Sequence, residues 1–175
     1  MVHINSIFNQ NRLLLLVPAV LLTVLLWWGS VPRLFVQGET ELIACVPARQ
    51  GANVNISFIH SVQKTPVEEY LVVSDDLSEL VLRSTRYHSF GVGLPFMASD
   101  GNFYQDGNDF VMDNMERHFS SLSLRTGVGT KLTVTIDGES YPLYEKFSPG
   151  YRVDIFTAPG IYYLKALLES SFKNF

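Results

Sequence analysis

The sequence predicts a mainly β fold, an antiparallel β-sandwich or a partly closed barrel, that follows one N-terminal transmembrane helix. One long uncharged apolar run lies near the N-terminus, and after residue 39 apolar and polar residues alternate in a series of short segments. Turn sequences separate these segments. Short alternating strands at regular spacing, with turns between them, are typical of antiparallel all-β domains.

The apolar run predicts a membrane anchor. Residues 13–28 carry no charge, and extension of the run to Pro32 makes it long enough, as a helix, to cross a hydrocarbon core of about 30 Å. Trp27 and Trp28 lie near its outer end, where indole rings favour the level of the lipid headgroups. The residues that follow lack the spaced pair of small side chains that signal peptidase requires. We therefore expect an uncleaved signal anchor, with cleavage as the alternative.

The charges beside the run predict its orientation. Arg12 and the terminal amine precede it and Arg33 follows it, and positive residues favour the cytoplasmic side. The expected organisation is a cytoplasmic tail over 1–12, a transmembrane signal anchor over 13–32, a brief linker over 33–38 and a periplasmic β domain over 38–175.

The charge of the domain argues against nucleic acid as a partner. After residue 36 the chain has 17 acidic residues and 11 Lys plus Arg, a net charge of −6. Nucleic-acid binding needs a basic surface to neutralise phosphates. The single cysteine, Cys45, excludes a disulfide within the chain.

The strand pattern continues from residue 39 nearly to the C-terminus. The predicted strands are 40–46, 54–59, 67–73, 79–88, 122–125, 131–136, 141–144 and 151–156. Asp137-Gly138 is a strong hairpin signal, and Gly127-Val128-Gly129 is placed as a second hairpin turn. The Asp-, Asn- and Gly-rich stretch 96–119 is expected to be a long loop with one helical turn at 112–117. Residues 161–171 fit a final strand or a short helix.

The segment from His60 to Glu69 concentrates the reactive side chains of the chain. As a hairpin with a five-residue loop over 62–66, it would place Ser61 opposite Val67 and His60 opposite Glu68, because directly opposed residues share a face. A one-residue change of register would exchange Glu68 for Glu69. A His–carboxylate pair can orient a general base, help to bind a metal, or hold a bend through hydrogen bonds.

Catalytic and metal signatures are weak around this hairpin. His60 and Ser61 would point to opposite faces of a strand, and no G-x-S-x-G elbow is present. No H-x-H, H-E-x-x-H or C-x-x-C spacing supports a metal site. We therefore predict neither an enzyme nor a cofactor.

Phe90-Gly91-Val92-Gly93-Leu94-Pro95 is the second motif. Glycines permit positive φ or a close backbone approach, so the segment is either a sharp exit from a strand or a loop whose amides line a groove beside Arg86 and His60. It is not a phosphate loop, because no Gly-Lys-Ser/Thr follows.

Together, His60-Ser61-Val62-Gln63-Lys64-Thr65-Pro66-Val67-Glu68-Glu69 and the second motif resemble the domain-of-unknown-function family numbered 1850. The resemblance covers roughly residues 38–156, with Val92 where a small residue is expected. It implies a small bacterial inner-membrane protein with one anchor and a periplasmic domain, encoded beside TRAP transporters of the TAXI type. Such transporters pair a periplasmic solute-binding protein with a membrane permease.

Three functional hypotheses follow. The first is a non-enzymatic accessory protein that contacts the TRAP-type permease or its solute-binding protein. The second is a module that binds an organic acid through Arg86, His60 and backbone amides. The third is an envelope enzyme with His60 as a base oriented by Glu68. The residues expected to contact a ligand or partner are His60, Ser61, Thr65, Pro66, Glu68, Glu69, Arg86, Gly91, Gly93 and Pro95.

Overall fold

The computed structural model describes residues 4–89, 97 and 99–173, with side chains described for 16–89, 97 and 99–168. The helices are α1 (Ile4–Ser30), α2 (Leu143–Lys146) and α3 (Ile161–Lys173). The strands are β1 (Pro32–Gly38), β2 (Leu42–Pro47), β3 (Asn53–Ile59), β4 (Pro66–Val73), β5 (Leu80–Tyr87), β6 (Asn102–Asp106), β7 (Asp109–Asp113), β8 (Arg117–Phe119), β9 (Ser121–Arg125), β10 (Thr133–Ile136), β11 (Glu139–Pro142) and β12 (Arg152–Pro159).

These strands form two antiparallel sheets. The smaller sheet has the order β2-β1-β12-β9, and the larger has the order β11-β10-β3-β4-β5-β7-β6, with β8 also paired to β5. The prediction of a mainly antiparallel β fold is confirmed. The described strands lie in two sheets, rather than in one sheet that partly closes on itself.

A single hydrophobic core joins the two sheets. Leu34 and Val36 from the smaller sheet belong to the same buried cluster as Val54, Ile56 and Leu71 from the larger one. Alternate residues of β3 and β4 point into this cluster, as expected for strands with one face on a core. The core therefore fixes which side chains of the His60–Glu69 segment point inward.

Strand β1 is buried on both faces. Leu34, Phe35 and Val36 are all fully buried, although only Leu34 and Val36 belong to the shared core. Phe35 packs on the outer face against Phe156 and Tyr162, with ring centroids 5.5 and 5.0 Å away. The helix α3, which carries Tyr162, therefore covers this part of the smaller sheet.

Helix α1 coincides with most of the predicted anchor, 13–32, and ends at Ser30 because Pro32 already begins β1. Within the part of the chain that the structure describes, no helix is both long and apolar enough to span a membrane. Residues 13–15 of the predicted anchor lie outside the range whose side chains the structure describes. Large apolar side chains of α1 are exposed from 16 to 27, reaching 69% for Trp27.

Two predicted irregular segments are strands. Residues 33–38, predicted as a linker, form most of β1, and the predicted loop 96–119 contains β6, β7 and β8. The helical turn predicted at 112–117 is absent, because Met112 pairs with Thr85 in the larger sheet. Some of the Asp, Asn and Gly residues that suggested a loop form the turn of a β6–β7 hairpin, in which Gly107 has φ of 62°.

The two predicted hairpin turns have different outcomes. Asp137-Gly138 does connect a hairpin, and both residues have positive φ, 46° and 92°, as the tight two-residue turn requires. Gly127-Val128-Gly129 does not, because β9 and β10 belong to different sheets. For residues 161–171, the helical alternative is confirmed by α3.

Candidate functional site

The register of the β3–β4 hairpin differs from the predicted one. Ile59 pairs with Pro66, and Ser57 pairs with Glu68. His60 therefore does not face Glu68, and the predicted His60–Glu68 pair is wrong. The chain places six residues, 60–65, in the connection rather than five, because the bend begins directly after Ile59.

The observed register gives the two glutamates opposite roles. Glu69 pairs with Ile56 on one side and with Thr85 on the other, and both partners are buried. Glu69 thus shares the inward face of β4 with Val67 and Leu71, which are buried too. Glu68 points to the outer face, because successive residues of a strand alternate.

A cavity of about 420 Å³ opens between the two sheets at this hairpin. We call it the Glu69 cleft. The lining residues are Ile56, Phe58, Ile59, His60, Ser61, Glu69, Ser123, Leu124, Arg125, Thr130 and Leu132. Three predicted site residues, His60, Ser61 and Glu69, therefore lie together, although not in the predicted pairing.

Glu69 is the unusual group of the cleft. Burial raises the pKa of its carboxyl group, and the charge of Arg117 partly opposes this effect. Among the described residues its carboxyl group makes no hydrogen bond and no ion pair. Glu69 is half-buried, and a partly desolvated carboxylate without such partners is costly to keep charged.

His60 holds the bend through hydrogen bonds. Its Nδ1 accepts from the backbone N–H groups of Val62 and Gln63, at 3.2 and 3.1 Å. Its own backbone N–H donates to the Thr65 carbonyl, and Lys64 N–H donates to the His60 carbonyl, both at 2.9 Å. Nδ1 is therefore the unprotonated nitrogen in this arrangement, and the imidazole acts as a cap for the turn.

Arg86 belongs to a different surface. It pairs with Glu68 across the strands and binds Asp106 and Asp109 at 2.6 and 2.9 Å. Asp109 also contacts His88 at 2.7 Å, and the bonds from His88 and Arg86 lower the pKa of its carboxyl group. Arg86 does not line the Glu69 cleft, because it shares the outer face of the sheet with Glu68. The predicted groove beside Arg86 and His60 involves residues 90–95, which lie outside the described residues.

The remaining predicted residues have varied positions. Thr65 shares a hydrogen bond with Ser89, Oγ1 to Oγ at 3.1 Å, and Pro66 begins β4 opposite Ile59. The second motif, with Gly91, Gly93 and Pro95, lies outside the described residues.

Sequence reasoning missed one wall of the cleft. Ser123, Leu124 and Arg125 come from β9, an edge strand of the smaller sheet, and they are far from the hairpin in sequence. The alternation of leucine and polar residues predicted the strand but carried no sign of its neighbour in the other sheet.

The cap made by His60 leads to a stability prediction. Replacing His60 with alanine removes the acceptor of two turn N–H groups, so we expect the free energy of unfolding to fall by about 1 kcal/mol. Urea denaturation measures this change, with Ser61→Ala as the control of similar position. Asparagine at 60 keeps an acceptor and should recover part of the loss. An unchanged free energy for His60→Ala would show that the two hydrogen bonds do not stabilise the turn.

Comparison with known proteins gives one match. No curated protein and no solved structure matches the chain significantly. A family model described as Domain of unknown function (DUF1850) matches residues 54–143, a range that includes the hairpin and Glu69 but ends before β12. The resemblance inferred from the two motifs is thereby confirmed, and the chain belongs to the family described as Domain of unknown function (DUF1850).

Proposed function

We propose that this protein is a membrane-attached, non-enzymatic accessory protein of a TRAP-type solute transporter of the TAXI class. The surface that contacts the permease or the solute-binding protein is the turn 60–65 together with the Glu69 cleft. One observation carries the proposal: His60, Ser61 and Glu69, from the motif that resembles the family, line a single open cleft.

The turn 60–65 is rigid and exposed, and both properties suit it to recognition by a partner. Hydrogen bonds between His60 and Thr65, and between Lys64 and His60, fix its backbone. Val62, within it, is 71% exposed. An exposed apolar side chain on a fixed loop loses little conformational entropy when a partner covers it.

Membrane attachment is supported by the apolar surfaces of two helices. Helices α1 and α3 meet at one end of the smaller sheet, where Gly160 N–H donates to the Val31 carbonyl and Trp28 packs edge-on against Tyr163. Ile161 and Leu168 of α3 remain 60% and 61% exposed, and Ile161 begins α3 beside Gly29 at the end of α1. Exposed apolar surface on two such helices marks a membrane or protein contact. We propose that the apolar surfaces of α1 and α3 attach the chain to the bacterial inner membrane, with the β domain in the periplasm.

The cleft lies away from this end. Strand β12 ends at Pro159 beside the helices, whereas its Asp154 pairs with Ser123 of the cleft wall. Asp154 and Pro159 are five residue steps apart, which is about 17 Å at the rise of a β-strand. The cleft is therefore accessible to a partner that approaches from the aqueous side.

The proposal is tested by affinity capture from membranes with the full chain, and by solute uptake in a deletion strain. Recovery of a permease or a solute-binding protein, together with impaired uptake and intact solute binding, is the expected result. Normal uptake in the deletion strain would contradict the proposal.

A matched pair of variants locates the contact surface. Val62→Arg places a charge on the turn 60–65, and Gln50→Arg places the same side chain on the exposed turn at the other end of β3. We expect Val62→Arg to reduce capture of the partner at least tenfold and Gln50→Arg to leave it unchanged, because only the first turn borders the cleft. Equal capture by both variants would exclude the turn 60–65 from the interface.

The size of the cleft favours a second candidate function, a small-ligand module. Its volume, about 420 Å³, lies within the range of about 300–1,000 Å³ that small-molecule sites occupy. Arg86, which the sequence placed in an organic-acid site, does not line this cleft. Calorimetry of the full chain against a panel of organic acids tests the organic-acid form of this function, and no heat of binding at millimolar concentration would exclude organic acids as the ligands.

A further inference from the structure

We infer that the Glu69 cleft receives a cationic side chain, a lysine or an arginine, from the docking partner. The inference rests on the proposed docking function and specifies its chemistry. Glu69 provides the charge, the apolar walls accommodate the aliphatic stem, and the open side admits the partner's chain.

The carboxyl group of Glu69 has no direct partner within the described residues. Its carboxyl group makes no hydrogen bond or ion pair there, and burial raises its pKa. The Coulomb attraction of Arg117 opposes this effect only in part. An ammonium or guanidinium group brought into the cleft would donate the missing hydrogen bonds and favour the charged carboxylate.

Arg125 does not take this role. Its guanidinium donates to the Gly150 carbonyl at 2.8 Å and lies 3.9 Å from Glu39. Its side chain is 64% exposed, so it lies at the rim of the cleft. The one cation that lines the cleft among the described residues is thus bound elsewhere.

The walls match the stem of a basic side chain. Ile56, Phe58, Leu124 and Leu132 line the cleft together with Glu69. Lysine and arginine bury their methylene groups along apolar surface while the charged end reaches a polar partner. The domain carries 17 acidic residues against 11 basic ones after residue 36, and this excess favours the approach of a basic surface.

Edge strand β9 gives the partner a route into the cleft. It ends the smaller sheet, and three consecutive residues, 123–125, line the cavity. An edge strand presents unpaired backbone groups that an extended segment can use. A partner segment lying along β9 would carry its basic side chain past Arg125 toward Glu69.

Nuclear magnetic resonance titration of the full chain with butylammonium and butylguanidinium tests the inference. The methyl groups of Ile56, Leu124 and Leu132 report from inside the cleft, and butyrate is the matched anionic control. We expect saturable shifts of these methyl signals with both cations and none with butyrate. Glu69→Gln keeps the shape of the side chain and should weaken binding at least tenfold. Glu116→Gln, at a side chain 69% exposed elsewhere on the surface, should leave binding unchanged.

Absence of saturable shifts with both cations in the unaltered chain overturns the inference, as does equal binding by Glu69→Gln or preferential binding of butyrate. Affinity capture with Glu69→Gln links the result to the partner. Capture reduced at least tenfold supports the inference, and undiminished capture overturns it. If the unaltered chain captures no transporter component, the proposed docking function is wrong. A side chain of that partner is then excluded as the occupant of the cleft, even if the titration shows binding of free amines.

Discussion

Replacing Phe35 with alanine is expected to lower the free energy of unfolding by about 3–5 kcal/mol, the range for large aromatic side chains removed from a core. Phe35 is fully buried and packs against Phe156 and Tyr162 at 5.5 and 5.0 Å. Its loss leaves a cavity between the smaller sheet and α3. The substitution therefore also weakens the attachment of α3 to the sheet.

Urea denaturation of the full chain measures the loss, and proteolysis of the α3 segment measures its detachment. Phe103→Ala is the control, because Phe103 is also aromatic and lies in a strand but is 40% exposed. We expect a smaller loss there, because removing a partly exposed side chain takes less apolar surface out of the interior. Unchanged proteolysis of the α3 segment in Phe35→Ala would show that α3 does not depend on Phe35.

Replacing Glu69 with leucine is expected to raise the free energy of unfolding at neutral pH by about 1 kcal/mol, because it removes a half-buried carboxyl group that lacks hydrogen bonds among the described residues. Leucine suits the neighbouring Ile56 and Leu132, and it removes a carboxyl group that has no hydrogen-bond partner among the described residues. The same change should abolish binding of butylammonium. A gain in stability with a loss of binding is typical of residues kept for function.

The pH dependence follows from the direction of the pKa shift. Burial raises the pKa of Glu69 above its ordinary value of 4.5, so between 4.5 and the raised value the folded state binds more protons than the unfolded state. Stability then falls as the pH rises through this window, and the full penalty remains above it. Glu69→Leu should remove this pH-dependent fall in stability. Glu116→Leu, a substitution at an exposed position, should leave the fall unchanged. A profile unchanged by Glu69→Leu would show that Glu69 does not titrate differently on folding.

The sequence alone predicted those elements whose signals are local. Alternation marked β3 and β5, and Asp137-Gly138 marked the β10–β11 turn, because side-chain period and turn chemistry operate over a few residues. The two motifs were sufficient to infer the family. Residues that form strands without local alternation were missed, as in β1, where Leu34, Phe35 and Val36 are all buried and resemble a continuous apolar run.

Only the tertiary structure decided the site. A shift of three residues in the β3–β4 register separated His60 from Glu68 and turned Glu69 inward, because the core selects the face on which Val67 and Leu71 lie. The wall of the cleft that contains Leu124 comes from the other sheet. A local sequence pattern carries no information about such a distant neighbour. The sequence thus determined the elements and the residues of the hairpin, whereas packing between the sheets determined which glutamate lines the cleft.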